Sequence, residues 1–287
     1  MLNKILCVAV LGLFAGLARA DTQAPTQAAA APTGRIKGQI IAARVQGHVT
    51  AVSKTNVDGQ LLHDGDHVTE DSTVVTAAGA SVILVFSNGA TLDLAGDTRL
   101  KIEEFEQDPF STEIKASEMK QEPGTSVTKL YLTKGELVGR VAHLNVDKGS
   151  EFTVRDPVGA AGIRGTFFKV IFLIEKHHKA RLTLETFEGL IVFTGLASGP
   201  LDIPAGRKYE GEFDYNPTDP DNPGDWLPPA SLILQALFIS PQEAAEFQGE
   251  LQKILDALNL IVFPNGLPPP PPSPKLNAPT PGAGTGT

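Results

Sequence analysis

The sequence is poor in three kinds of residue, and each scarcity excludes something. Its 287 residues include one cysteine, Cys7, so no intramolecular disulfide can form and no multi-cysteine metal site can be built. Basic side chains are outnumbered, 24 against 33 acidic ones, for a net charge of −9. Nucleic-acid affinity is built mainly from Lys and Arg neutralising phosphates, so this balance argues against a nucleic-acid partner and against docking on anionic lipid. No basic stripe with interleaved aromatics offsets it. Long apolar runs are also missing. The run from Ile5 to Ala18 is short for a membrane span, which needs about 20 residues.

That run is informative for another reason. Met1 to Ala20 has a basic start at Lys4, the apolar stretch, and a small-x-small site at Ala18-Arg19-Ala20 before Asp21. This is the layout of a secretory signal peptide cleaved after Ala20, and it places the mature chain in the periplasm or at the cell surface. Cys7 lies inside the apolar run without the small residues that lipidation needs. Removing Lys4 and Arg19 leaves 22 basic and 33 acidic residues, a mature net charge of −11. The mature chain then has no cysteine at all.

Residues 21–34 are mostly Ala, Pro, Thr and Gln without periodicity and read as a flexible leader. From Arg35 the texture changes to short apolar runs with a turn signal about every ten residues, at Gly47, Asp58-Gly59, Asp64-Gly65-Asp66, Ala78-Gly79, Asn88-Gly89 and Gly96-Asp97. Strands at that spacing indicate a mainly β body over 35–212, not βαβ units. Ser81–Phe86 is almost continuously apolar, as a strand buried on both faces would be. It meets the strictly alternating Ala90–Leu94 across Asn88-Gly89, two residues that accept positive φ at low cost, and the pair predicts a hairpin. About 104–126 is polar, acidic and broken by Asp108-Pro109 and Glu122-Pro123-Gly124, and reads as a surface excursion. A Pro/Asp-rich linker follows at 213–229. Residues 230–262 are predicted to hold two helices, one over Ala230–Ile239. The second starts at Ser240-Pro241-Gln242-Glu243, a capping box, with the apolar stripe Ala244, Phe247, Leu251, Ile254, Leu255, Leu258. From 263 to 287 the prolines cannot build a core, and a disordered tether is expected.

Two stretches carry a family likeness. The first runs from Leu62-His-Asp-Gly65-Asp66 through Ser81–Leu94, with Asn88-Gly89 at its turn, to Asp97-Thr98-Arg-Leu100. The second is Gly149-Ser-Glu-Phe152-Thr-Val154-Arg-Asp-Pro157-Val-Gly159-Ala-Ala-Gly-Ile163-Arg164-Gly165-Thr166-Phe-Phe168-Lys-Val170. In spacing and order they resemble the periplasmic domain of the FecR family. Departures are Asp156, where the family usually has threonine, and the excursion after Glu104. The resemblance implies a short-strand β-sandwich or partly solenoid-like fold. Regulatory members span the inner membrane and contact a sigma factor through a cytoplasmic N-terminal segment. This sequence has only Met1 to Asn3 before Lys4, so no direct sigma-factor contact is expected.

The motif residues also read independently. Pro157 removes a backbone donor, so a regular central strand should not run through it. Gly159, Gly162 and Gly165 permit a tight crossing, after which Thr166–Phe172 should re-enter the sheet with alternate aromatics inward. A phosphate-cradling loop would have to open a helix, and β-branched and aromatic residues follow instead. His63 and His67 have ligand-like spacing but flank a turn that sends them apart. Asp214, Asp219, Asp221 and Asp225 lack the register of a calcium loop. No nucleophile elbow is present, and Glu103-Glu104 lies on a polar edge, not in a cleft. The expectation is a non-enzymatic module with no cofactor, no metal and no catalytic residue. Its expected partner is another envelope protein or an envelope polymer. The alternative is a structural, self-associating envelope protein. A less favoured one is an enzyme acting on a wall polysaccharide, which would need two carboxylates facing a cleft about 5–10 Å apart.

Overall fold

The computed structural model describes residues 34–110, 112–219 and 226–264. The predicted signal peptide with Ala18 and Ala20, the leader up to Thr33, linker residues 220–225 and the tail from 265 lie outside them. The first half forms β1 (Ile36–Lys37), β2 (Ile40–Gln46), β3 (Val49–Ser53), β4 (Asn56–Leu61), β5 (His67–Val68), β6 (Thr73–Thr76), β7 (Ser81–Phe86), β8 (Thr91–Leu94) and β9 (Arg99–Gln107). Then come β10 (Ile114–Lys115), β11 (Ser126–Arg140), β12 (Glu151–Arg155), β13 (Ala160–Ile174), β14 (Lys179–Thr194), β15 (Leu201–Pro204) and β16 (Arg207–Asp214). β17 (Gln235–Phe238), helix α1 (Pro241–Leu258) and β18 (Val262–Phe263) complete the chain.

Sixteen of these strands share one open sheet whose main path runs β17-β16-β14-β13-β12-β11-β8-β7-β2-β5. β11 is its hub. Its first part pairs antiparallel with β9 and parallel with β12, and its second part, Gly135–Arg140, pairs with β13 and β8. One strand that changes partners midway must bend from one layer into the other, and the register slips between Leu132 and Lys134, where it does so.

Folding the sheet on itself gives an inner core of alternating side chains, among them Val82, Leu84, Phe86, Leu92, Leu100, Ile102, Phe105, Phe152, Phe168, Phe172 and Phe193. The opposite side of β7 is covered as well. Ile83 and Val85 belong to a second core with Phe110, Ala116, Met119, Phe167, Phe263 and the α1 residues Phe247, Ile254 and Leu258. The two-sided burial expected of Ser81–Phe86 is thereby explained: the inner core takes one face and α1 the other. α1 begins as predicted. Ser240 Oγ accepts from Glu243 N (3.2 Å) and Glu243 Oε2 accepts from Ser240 N (2.7 Å), with Pro241 at the first helical position.

Three expectations are corrected. Ala230–Ile239 forms no helix; Leu232 and Leu234 are buried while Ile233 is exposed, a period of two that feeds into β17. Its apolar run is too uniform for sequence to tell a buried helix from a strand. The stretch about 104–126 is not a bare surface excursion. β9 runs on to Gln107, and Phe110, Ala116 and Met119 are buried beneath α1. Nor does the core end at 262: Phe263 is fully buried, and β18 pairs with β10 in a separate two-stranded sheet. Segments about 150 residues apart thus close one small ribbon, which no local pattern encodes.

Candidate functional site

The second motif stretch builds a corner between β12 and β13. Phe152 and Val154 point into the inner core from β12, and Phe152 lies edge-on to Phe86 at 6.4 Å. The chain then turns through Asp156-Pro157-Val158-Gly159. Gly159 O accepts from Asp156 N (2.9 Å), and Asp156 Oδ1 accepts from Val158 N (2.7 Å) and Gly159 N (3.0 Å). This is the Asx geometry in which a short side chain closes its own turn, at a proline that could not have continued the strand. Gly159 has no room for a side chain: a Cβ there would sit 2.0 Å from Thr194 O, on the neighbouring β14. Asp156 Oδ2 is buried without a partner. Burial pushes the carboxyl up to about 7, against the pull of the two amides.

Beyond the corner, Ile163 is buried and Arg164 exposed. Gly165 takes φ +57°, and the β13–β14 register shifts between Arg164 and Phe167. Strand alternation sends the two adjacent aromatics after this bulge to opposite sides, and both are buried. Phe168 enters the inner core with Val170 and Phe172, and Phe167 enters the second core, against Phe247. Alternate aromatics were expected inward; their neighbour is buried as well, because α1 covers the outer face. Thr166 is buried within β13, its carbonyl accepting from Val141 N (2.9 Å).

The first motif stretch also serves the scaffold. Gly89 has φ +89° and donates to Phe86 O (3.0 Å), whereas Asn88 keeps negative φ. Asn88 is buried, with Nδ2 donating to Ser126 Oγ (3.0 Å) and Thr128 Oγ1 (3.3 Å) while Oδ1 accepts from Ala90 N (3.1 Å). It therefore ties the β7–β8 hairpin to β11. Gly65, at φ +90°, donates to Ala42 O (2.8 Å), and Asp66 Oδ2 accepts from His63 N (2.8 Å). His63 stays in that turn and His67 opens β5 opposite Ile41. Among the described residues no group of three or more His, Cys, Asp or Glu side chains is placed to hold a metal ion.

Sequence reasoning missed two polar features. Glu122, in what reads as a surface loop, is buried and accepts from Ser126 Oγ (2.6 Å), Ser150 Oγ and Asn145 N. Nothing in Glu-Pro-Gly signals this. Between α1 and the sheet lies a cavity of about 500 Å³ whose lining includes Arg44, Asp93, Glu136, Glu250 and Lys253. Lys169 stands between Glu136 and Glu250, 3.3 Å from each, with Glu185 buried beside it. Burial pushes Asp93 up to about 6 and raises Glu250 and Glu185. A third feature is apolar and open: Phe238 of β17 is 76% exposed, its ring covered on one side by the Arg207 guanidinium at 4.2 Å.

The motif side chains thus hold turns, bulges and layer contacts, which makes this part of the body a β-scaffold. Residues 72–192 match the sequence model of the family described as FecR protein, and the chain carries a FecR domain. Two crystal structures of a candidate anti-sigma factor from Parabacteroides distasonis, at 2.50 and 1.65 Å resolution, also match. Each has a TM-score of 0.39, with identities of 10% and 11% over 61% of this chain. The chain spans 63% and 64% of their lengths. No curated protein sequence matches.

Proposed function

We propose that the protein is an exported, non-enzymatic sensing and interaction module of the cell envelope, binding another protein or an envelope polymer. The observation that carries this is the use to which the motif residues are put. Phe152, Ile163, Thr166 and Phe168 are buried, and Asp156 and Gly159 close a turn, so the domain's most characteristic positions are spent on shape. A module of that kind works through the surfaces it holds in place. The exposed strand β17, with Phe238 open to solvent at the end of the sheet path, is such a surface. Strand addition to an exposed sheet edge is one physical route to a partner. The layout of Met1 to Ala20 supports export.

Fractionation of expressing cells with N-terminal sequencing tests the location, and a chain beginning at Asp21 in the envelope fraction is expected. An intact Met1 terminus in the cytosolic fraction would remove the envelope from this reading. Cross-linking in intact cells tests the interaction. One adduct of reproducible mass, lost when the chain is retained in the cytosol, is expected, and absence of any adduct would sink the module.

A further inference from the structure

We infer that β17 is a homotypic docking edge, at which two copies of this chain join their sheets by antiparallel β17–β17 pairing. The sheet path ends at β17, whose described partner is β16 alone. Other edges of the sheet are guarded in the usual ways. β5 is only two residues long, β4 carries Asp58 and Gly59, and β15 carries Asp202 and Pro204. β17 has no such device. The stretch from Trp226 to Ser240 contains no charged residue, in a chain of net charge −9, so pairing sets no charged side chain of one β17 against the other, and the Arg207 guanidinium stays on its own Phe238 ring.

The ladder fixes what the edge offers. Gln235 pairs with Glu210, Leu237 with Lys208, and, one step beyond the strand, Ile239 N donates to Gly206 O (3.2 Å). Antiparallel ladders alternate, so this bond turns the amides and carbonyls of Gln235, Leu237 and Ile239 toward β16 and those of Ala236 and Phe238 outward. A two-fold axis beside Leu237 places Ala236 opposite Phe238 of the second copy, and Phe238 opposite its Ala236. The outward groups then bond reciprocally. Directly opposed side chains share a face, so each exposed Phe238 ring meets a methyl group instead of another ring, large against small on both sides of the axis. This self-complementarity singles out a second copy as the occupant, because an isologous contact requires one patch to fit itself. A single strand pair buries less than the roughly 1,200 Å² of a standard interface, so the dimer is expected to be weak and concentration-dependent.

The register makes the test sharp. Leu237 would face Leu237 of the second copy at a non-hydrogen-bonded position, with Cα atoms about 4.5 Å apart, inside the disulfide range of roughly 4.4–6.8 Å. Gln235 would lie about 13 Å along the strand from its own copy. Purified protein is followed by analytical ultracentrifugation over about a hundredfold concentration range. Oxidative cross-linking of Leu237→Cys and Gln235→Cys is run in parallel, with the parent chain as control for Cys7. Reversible dimers, rapid cross-linking of Leu237→Cys, and slow cross-linking of Gln235→Cys are expected. Phe238→Lys is expected to weaken the dimer about tenfold or more by bringing charge onto the strip. Ala236→Pro removes only an outward amide and should do the same while the melting transition stays in place. A parent chain that remains monomeric throughout, or equal cross-linking of the two cysteine variants, overturns the inference. Neither result bears on export or on the envelope partner.

Discussion

The inner core and the core beneath α1 are both well packed, yet they are assembled in opposite ways. The inner core is made by strands that follow one another closely: β7 with β8, β12 with β13, β13 with β14. Each is joined by a turn whose residues demand it, as at Gly89 and Asp156–Gly159. The outer core is made by strangers. Phe110 and Met119 come from the loop after β9, Phe167 from the bulge in β13, and Phe247 and Phe263 from the C-terminal region. The difference teaches that the FecR domain supplies a platform, and that residues beyond its matched range, 72–192, are recruited to cover one of its faces.

The most forceful way to break the comparison is to open a void in each core. Phe168→Ala in the inner core is expected to cost about 3–5 kcal/mol of global stability, measured by denaturant unfolding. Phe247→Ala removes the ring packed on Phe167 and Phe187, and its loss should be local. Amide exchange is expected to accelerate in Pro241–Leu258 and in the β10–β18 ribbon, while β13 and β14 keep their protection. Should Phe247→Ala lower protection equally throughout the sheet, the two cores are one cooperative unit and the contrast fails.

Legibility in the sequence divides along the same line. Asn88-Gly89, the Pro157 turn and the capping box at Ser240 act over a few residues, and their chemistry can be read without knowing what lies opposite. The layers themselves cannot be read that way. Leu232-Ile-Leu234 is apolar whether it forms a helix or a strand, and only packing against Gly211 and its neighbours decides for the strand. Glu122 looks like a solvated loop acid, because its three donors come from Ser126, Asn145 and Ser150, distant in chain or across a turn. Of the surfaces proposed for function, β17 lies in the stretch whose sequence periodicity misleads most. The polar cavity under α1 joins Asp93, Glu136 and Glu250 from three separate elements, and Lys169 of a fourth pairs with the last two.

A buried acid marks the inner corner and a half-buried one the region under α1, and pH sharpens the comparison. Burial pushes Asp156 up to about 7 in the inner corner, and Asp93 up to about 6 under α1. An acid with a raised folded pKa binds its proton more tightly when folded. The stability it lends is complete below the unfolded carboxyl range near 4 and is lost as pH rises through the folded value. At about 1.4 kcal/mol per pKa unit, Asp156 should cost the fold on the order of 4 kcal/mol between pH 4 and pH 8. Asp156→Asn keeps an oxygen for the Val158 and Gly159 amides but cannot ionise, so the global stability–pH curve should flatten across that window. Asp93→Asn should flatten only the exchange protection of α1, because Asp93 lies beside Glu250 and Lys253 at the helix-covered cavity. A global curve unchanged by Asp156→Asn would mean that the carboxyl is not protonated in the folded chain.

The gentlest probe acts on α1 alone. Ser240→Ala removes the hydroxyl that accepts from Glu243 N, but leaves the Glu243 carboxylate, held low at about 2 first by Lys208 and then by Ser240. The loss of one cap is worth about 1 kcal/mol, which is small beside the apolar face that α1 buries in Phe247, Ile254, Ala257 and Leu258. If the outer core is a separable cover, that loss should appear as roughly fivefold faster exchange in the first turns of α1 and leave the denaturation midpoint of the sheet unmoved. A shift of the whole transition would instead place the helix among the elements that hold the β-scaffold together. Its N-cap would then matter as much to the domain as the turn at Asp156.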